Sequence, residues 1–359
     1  MMEDINNLMM GLGIALQGYN ILIAMIGLVL GIIVGVLPGL GGANGVAILI
    51  PVVVTMTPVT GVILLSSIYW GALYGGSITS ILFNIPGEPW SVATTFDGYP
   101  MAKSGKAGKA LVLSFLSHGV GGAVGVVLLT FFAPVIAEFA LKFGPAEIFS
   151  VMLLTFSAFV GLSGKSPLKN VIAILFGFIL AAVGMDIISG QLRMTYGSVV
   201  LMGGFNFVVA VIGLFGLGEI FLTVEEGLKV EGIVARVGLK DIREGMKEII
   251  RYPKALIIGT LVGCWMGLKP GGATPASFMA YGFIKQSSAN KDEFGKGAPA
   301  GIIAPEAAAH GAGTSATLPM ITLGIPGSPT MAVIMGGLMI FGLQPGPMLF
   351  KEHADFVWG

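Results

Sequence analysis

Charge is what this sequence has least of. Only 11% of its 359 residues are charged, and no Lys or Arg occurs before Lys103. A soluble domain carries about a quarter. Net charge is zero, so nothing argues for a nucleic-acid partner. A single cysteine, Cys264, excludes an intrachain disulfide and a Cys-based metal site. His118, His310 and His353 show no paired ligand spacing, and no Ser-His-Asp arrangement can be read. A phosphate loop is missing too: "GLSGKS" (Gly161–Ser166) has Phe159 where the first glycine is required. The N-terminus holds Glu3 and Asp4 but no basic n-region. That is no signal-peptide pattern, and the first helix is expected to stay as a span.

Apolar residues fill the space that charge leaves. They make up 55% of the chain, mean hydropathy is +0.91, and glycine alone counts 56. Apolar runs of membrane length recur, and small residues suit packed membrane helices. Alternating short segments do not dominate, which argues against a β-barrel. The expected fold is an all-α polytopic integral membrane protein, with the lipid bilayer as its first partner.

Basic residues cluster at Lys103–Lys109, at Lys165 and Lys169, and between Lys229 and Lys254. Apolar segments lie between the clusters in pairs, near 110–134 with 146–163 and 171–188 with 198–223. Each pair returns the chain to its starting side, so all three clusters share one face, the cytoplasmic one by the positive-inside rule. The outer loops, near Glu138–Glu147 and Ser189–Gly197, hold only Lys142 and Arg193. The stretch "LKDIREGMKEIIRY" puts Leu239, Ile242, Met246, Ile249 and Ile250 on one helical face. It reads either as a helix along the membrane surface or as a soluble connecting helix.

Two regions repeat. The first holds "GVLPGLGGANG" (Gly35–Gly45) and then "YGGSITSILFNIPGEP" (Tyr74–Pro89). The second holds "GLKPGGATPAS" (Gly267–Ser277) and then "GTSATLPMITLGIPGSP" (Gly313–Pro329). The offset is 232 residues from Pro38 to Pro270 and 240 from Pro86 to Pro326. Internal duplication explains this. The helix before Pro270 starts from the basic side, whereas the helix before Pro38 starts from a tail without Lys or Arg. The expected architecture is inverted structural repeats, with broken or re-entrant helices meeting near the bilayer midplane.

Unwound backbone survives in hydrocarbon only when buried in protein or lining a polar cavity. Once a helix stops, its free N–H groups attract anions and its free carbonyls attract cations. Breaks at corresponding places in two halves point to a transporter's central site.

These motifs carry a family resemblance. "YWGALYGGSITSILFNIPGEPWSVATTFDGYPMAKSGKAGKAL", "FGKGAPAGIIAPEAAA" and "LPMITLGIPGSPTMAVIMGGLMIFGLQPGP" resemble the large membrane subunit of the tripartite tricarboxylate transporters, the TctA family. The resemblance covers nearly the whole chain. It implies cation-coupled carboxylate uptake across a bacterial inner (plasma) membrane. It also implies two partners: a small membrane subunit (TctB-like) and a periplasmic substrate-binding protein (TctC-like). Three departures stand out. Family members continue past "HADFVWG", so a C-terminally truncated chain is expected. The family's leucine before the second Pro-Gly is Lys269 here. The paired asparagines after "APEAA" are Ala309–His310 here.

Candidate residues follow from the breaks. For the substrate they are Pro38, Gly39, Asn44, Ser77, Thr79 and Asn84 in the first half. In the second half they are Lys269, Gly271, Thr274, Ser277, His310, Thr314, Ser315 and Thr317. Asn44, Ser80, Thr274 and Thr317 offer hard oxygens to Na⁺. Each hydroxyl or amide can equally bond across a helix interface. Lys269 either pairs with a substrate carboxylate or snorkels to the surface. His310 either carries a proton or packs, and His118 reads as packing. Glu306 follows Pro305 and reads as a helix-start cap. Asp97 reads as structural, and Glu88 is the remaining carboxylate at a break.

The sequence therefore predicts a cation-coupled secondary transporter subunit for a tri- or dicarboxylate, driven by Na⁺ or H⁺, with no other cofactor and no enzymatic activity. The first repeat spans 1–110, four connecting helices 111–223, a cytoplasmic amphipathic linker 224–254, and the second repeat 255–359. The rivals are a passive anion channel, which conducts without a cation gradient, and a membrane-embedded enzyme, which needs a catalytic cluster. A structural scaffold, which no ligand stabilises, is the third.

Overall fold

The computed structural model describes residues 2–37, 40–142, 166–185, 191–205, 233–269 and 272–358, with positions 144, 146–147, 149–150, 153, 221 and 224–225. The first part runs α1 (Met2–Ala15), α2 (Gly18–Val36), α3 (Gly41–Val53), α4 (Pro58–Phe83), α5 (Val92–Met101) and α6 (Ala107–Ala140). A 3₁₀ turn, Pro89–Ser91, leads into α5, and a π turn, Ala102–Lys106, joins α5 to α6. Then come α7 (Pro167–Ala181) and a two-stranded antiparallel hairpin, β1 (Gly184–Met185) with β2 (Leu192–Arg193). The last part runs α8 (Leu239–Arg251), α9 (Pro253–Gly267), α10 (Ala273–Ser287), α11 (Ala300–Ser315), α12 (Thr317–Leu323) and α13 (Pro329–Ile340). Two short helices, α14 (Leu349–Glu352) and α15 (Ala354–Trp358), follow.

The chain is an all-α membrane protein. Gly18–Val36, Pro58–Phe83 and Pro89–Phe139 are long and apolar enough to cross a bilayer. Met25 and Val29 on α2, Phe131 and Phe132 on α6, and Phe176 on α7 are exposed, as lipid contact allows. The segment expected at 110–134 is α6. The one expected at 171–188 starts earlier, at Pro167, and stops at Ala181. It is cut short because Gly184, at φ 122°, turns the chain into the hairpin. The segments expected at 146–163 and 198–223 lie almost wholly outside the described residues.

α8 and α9 meet at a bend of 77°. α8 is tied to α6 by Lys109 Nζ–Glu248 Oε1 at 2.7 Å and by Gly245 pressed on Val112. Leu239, Ile242, Met246 and Ile250 stay exposed. The apolar face read from the sequence is therefore largely uncovered by protein.

The repeat recurs at the level of atomic contacts. In the first half, Gly27, Gly31 and Gly35 of α2 press on the carbonyls of Leu64, Ile68 and Ala72 of α4. In the second half, Gly259, Gly263 and Gly267 of α9 press on the carbonyls of Ala304, Ala308 and Ala312 of α11. The glycines correspond at the 232-residue offset and the carbonyls at the 240-residue one. A Cβ added at Gly31 would stand 2.2 Å from Ile68 O, and one at Gly263 would stand 2.4 Å from Ala308 O. Only glycine permits this approach, and dispersion across the seam holds the pair together where no hydrophobic effect acts.

The breaks match as well. α4 ends on Asn84 at φ 57°, ψ 25°, and α12 ends on Gly324 at φ 69°, ψ 25°. Both are left-handed C-caps, the conformation that glycine and then asparagine adopt most readily. Each is followed by an extended N-cap, Glu88 or Ser328, and by a proline at the first helical position, Pro89 or Pro329. The buried core falls into two clusters. One gathers α5, α6, α9, α10 and α11, and the other α3, α4, α12 and α13.

Gly263→Ala is expected to lower unfolding stability by about 1–3 kcal/mol through overpacking. Gly282→Ala, where no described residue lies within 4 Å of the new Cβ, is expected to be neutral or to gain up to about 1 kcal/mol of helix propensity. Unfolding of the two variants in detergent checks the opposite signs.

Candidate functional site

Each Ile-Pro-Gly-x-Pro turn folds back on its preceding helix: Ile85 N–H donates to Thr79 O at 3.4 Å, and Ile325 N–H donates to Pro319 O at 3.2 Å. In the first half, Gly87 N–H donates to Gly76 O at 3.4 Å. Glu88 then reaches the N-terminus of α3, where Gly42 N–H donates to its Oε1. A carboxylate at that helix end meets a positive partial charge and a free N–H. Gly41, at φ +63°, turns the chain into α3.

Tyr69 of α4 is 2% exposed and stands between the two halves. The Glu88 carboxylate and Ser328, its repeat counterpart, both lie close enough to act on its hydroxyl electrostatically. Positions Gly42 and Gly313 both face the tyrosine side chain. The two turns thus converge on one residue.

Beside Tyr69 lies a cavity of about 450 Å³ between α4, α6, α12 and α13. Its polar lining is Ser66, Ser67, Tyr69, Trp70, Thr314 and Thr317, and the rest is apolar. Thr317 Oγ1 donates to Met331 Sδ at 3.7 Å. Thr314 Oγ1 is buried with no hydrogen-bond partner among the described residues.

A second polar cluster lies behind the cavity. Glu306 of α11 is 1% exposed. Its Oε1 accepts from Thr94 Oγ1 of α5, and its Oε2 accepts from Ser114 Oγ of α6 at 2.7 Å. His118 Nε2 of α6 stands 3.0 Å from Oε2. The His118 and His310 rings are 4.6 Å apart, with Tyr74 edge-on to His118 at 5.7 Å and Trp70 beside His310 at 5.9 Å. Glu306 is therefore not the helix-start cap that its place after Pro305 suggested. α11 begins five residues earlier, at Ala300, and runs through the proline. Every residue of α11 is buried, and that packing outweighs the one hydrogen bond the proline removes.

The structure brings some of the expected residues together. His310, Thr314 and Thr317 join the cavity and its rear cluster, and Ser77 lies near Glu306 with its Oγ unpartnered among the described residues. Others are engaged locally. Thr79 and Ser80 both donate to Gly76 O, at 3.0 and 2.9 Å. Ser277 donates to Ala273 O and Pro305 O. Asn44 is buried in α3, Ser315 is buried beside Cys264, and Thr274 is half-buried in the first turn of α10. Asn84 is an exposed cap. Lys269 is exposed past the end of α9, its Nζ 5.0 Å from the Trp265 ring centroid. Pro38, Gly39 and Gly271 lie outside the described residues. Among the described residues, no three His, Cys, Asp or Glu side chains gather to hold a metal ion.

Sequence reading missed Tyr69, Trp70, Tyr74, Thr94 and Ser114, together with Ser117, which is buried on α6 with its Oγ unpartnered among the described residues. A signal existed for two of them. Ser114, Ser117 and His118 fall on one face of an otherwise apolar helix, and polar residues there point inward. Asp97 has the structural role expected of it. Its Oδ1 accepts from Gly295, Gly297 and Ala298 N–H at 2.7–2.9 Å, and Tyr281 hydroxyl donates to its Oδ2 at 3.0 Å.

A family model described as "Tripartite tricarboxylate transporter TctA family" matches residues 21–359. An uncharacterised 52.8 kDa protein in the TAR-I ttuC' 3' region of Agrobacterium vitis is 41% identical over 360 residues, covering 100% of this chain and 71% of that protein. An uncharacterised protein in the TAR-II ttuC' 3' region of the same organism is 40% identical over 98 residues, covering 27% of this chain and 40% of that protein. No solved structure matches.

Asp97→Ala leaves three backbone N–H donors, of exposed Gly295, half-buried Gly297 and buried Ala298, and a tyrosine hydroxyl without their acceptor. It is expected to cost at least about 3 kcal/mol, read as a lowered melting temperature in detergent. An unchanged melting temperature would show that the clamp carries no stability.

Proposed function

The chain belongs to the tripartite tricarboxylate transporter TctA family, and from that membership we propose that it carries an organic anion with two or three carboxylates through the cavity beside Tyr69. A coupling cation, Na⁺ or H⁺, moves with the substrate in this reading. The single observation that carries the proposal is the convergence of both repeat-related turns on Tyr69, next to a cavity of about 450 Å³. That volume suits a small organic ligand.

The two halves are not equivalent in charge. Glu88 already occupies the N-terminus of α3. Its counterpart in the second half is Ser328, which carries no charge. In our reading the N-terminus of α10 is left for a substrate carboxylate, and Glu88 repels a misplaced anion from that of α3. Thr314 and Thr317 supply hydroxyls to the substrate. Lys269, exposed at the edge, attracts the anion on its way in. The repeats are inverted in this reading, so the site is reached alternately from each side. The setting is a bacterial inner membrane, with a small membrane subunit and a periplasmic binding protein that delivers the anion. Carrying more positive charge on the cations than negative charge on the substrate lets the membrane potential drive accumulation, at about 2.3 kcal/mol per net charge per 100 mV.

Thermal unfolding of the purified chain with di- and tricarboxylates, with and without Na⁺, tests the proposal. A ligand at a hundred times its Kd stabilises by about 2.7 kcal/mol. Tyr69→Phe and Thr317→Val are expected to weaken that ligand by about tenfold each, the value of one hydrogen bond. Lys269→Leu is expected to change affinity by less than about fivefold, since an exposed charge is screened. Stabilisation by no carboxylate would overturn the reading.

A further inference from the structure

The geometry points to a proton-binding site formed by Glu306, His118 and His310, separate from the carboxylate cavity and loaded through it. Each of the three is more than nine-tenths buried. A carboxylate taken out of water costs several kcal/mol unless a cation pairs with it. Among the described residues, the group within ion-pair distance of Glu306 is His118. The one basic residue earlier on α6, Lys109, is held by Glu248. The cation that neutralises Glu306 is therefore a proton, held on the pair formed by its Oε2 and His118 Nε2, 3.0 Å apart, with the imidazole turning to bring its N–H into line. With the proton the pair is neutral, and without it the pair carries one negative charge.

A route connects this pair to the cavity. Thr314 and Trp70 line the cavity. His310 lies one turn from Thr314 on α11 and 5.9 Å from the Trp70 ring. His118 lies 4.6 Å beyond His310. Thr314 Oγ1, His310 Nδ1 and both ring nitrogens of His118 are buried without hydrogen-bond partners among the described residues. A row of unpaired polar atoms ending on a carboxylate is costly in a merely structural core. It is what water-assisted proton transfer requires. The proton enters from cavity water, passes over the ring nitrogens of His310 and His118, and rests on the His118–Glu306 pair. No bond other than N–H and O–H is made or broken.

Other titratable groups face the cluster. They are Tyr74 from α4 and Cys264 from α9, which lies against Gly311, while Asp97 from α5 and Tyr281 from α10 lie further along α11, against Gly301. Asp97 is saturated by its own four donors. Thr94 and Ser114 donate to the ionised carboxylate without supplying charge. They stabilise the state that follows proton release.

Coupling follows from Coulomb's law. A substrate carboxylate in the cavity is repelled by a negatively charged cluster behind it and tolerated by a neutral one. Binding one anion therefore favours taking up one proton, and the effect is reciprocal. This step rests on the transport reading above. The existence of the proton site does not.

Two measurements separate them. In the first, the full chain in lipid nanodiscs carries ring-labelled histidine and is titrated by NMR over about pH 5 to 9. The His118 resonances, assigned by their loss in His118→Gln, are expected to show one step that moves by more than about half a pH unit in Glu306→Gln. If Glu306→Gln does not fold, Ser114→Ala serves instead and is expected to displace the same step. A His118 signal that does not titrate, or that ignores these changes, overturns the site. In the second, citrate binding is followed calorimetrically in two buffers of unlike ionisation heat, at a pH where citrate is fully ionised. About one proton taken up per citrate, and none in Glu306→Gln, supports the coupling. Binding without proton uptake in the unmodified chain overturns the coupling while leaving the transport reading intact. Absence of citrate binding counts against the carboxylate reading, and the histidine titration then decides the proton site alone.

Discussion

A backbone N–H or C=O left unpaired in hydrocarbon costs several kcal/mol. This chain interrupts its helices at Asn84 and Gly324 and must therefore shelter what the interruptions expose. The shelter is built from glycine. Because Gly27, Gly31 and Gly35 let α2 settle against the backbone of α4, and Gly259, Gly263 and Gly267 do the same for α9 on α11, two rigid seams hold the broken elements in place. The left-handed caps, extended N-caps and prolines then repeat with nearly the same dihedrals in both halves. One constraint, met twice in the same way, yields a pair of turns that face each other across Tyr69.

The site inherits its chemistry from this arrangement and from the ways the halves differ. Glu88 puts a fixed negative charge on one helix N-terminus, and Ser328 leaves its counterpart uncharged. Glu306 and His310 have no titratable equivalents in the first half: at the 240-residue offset their counterparts are Ser66 and Trp70, and His118 is supplied by α6, beyond the first repeat. A duplicated scaffold thereby holds an asymmetric set of charges. The low charge of the whole chain makes each of these few groups matter, because little else screens or neutralises them.

Much of the fold was legible in the sequence. Composition and the 232- and 240-residue offsets revealed helices, membrane and repeat, since lipid and backbone pairing act on every residue alike. The amphipathic face of α8 and the role of Asp97 could also be read. The site was less legible. Lys269, conspicuous as a cation after an apolar run, lies exposed against Trp265. Thr79 and Ser80, promising as oxygen ligands, are bonded within their own helix. Glu306, read as a cap because a proline precedes it, is a buried carboxylate.

The difference has a physical cause. Hydropathy, glycine spacing and helix-breaking dipeptides are local properties, and the sequence by itself determined where helices run, where they break and which halves correspond. Which side chains meet depends on contacts between residues far apart in the chain. Glu306 and Thr94 are separated by 212 positions, and Glu306 and Ser114 by 192. No local pattern encodes that meeting. Only the packing of α5, α6 and α11 decided that a carboxylate, two hydroxyls and a histidine should close around one point, and that His310 should link that point to the cavity.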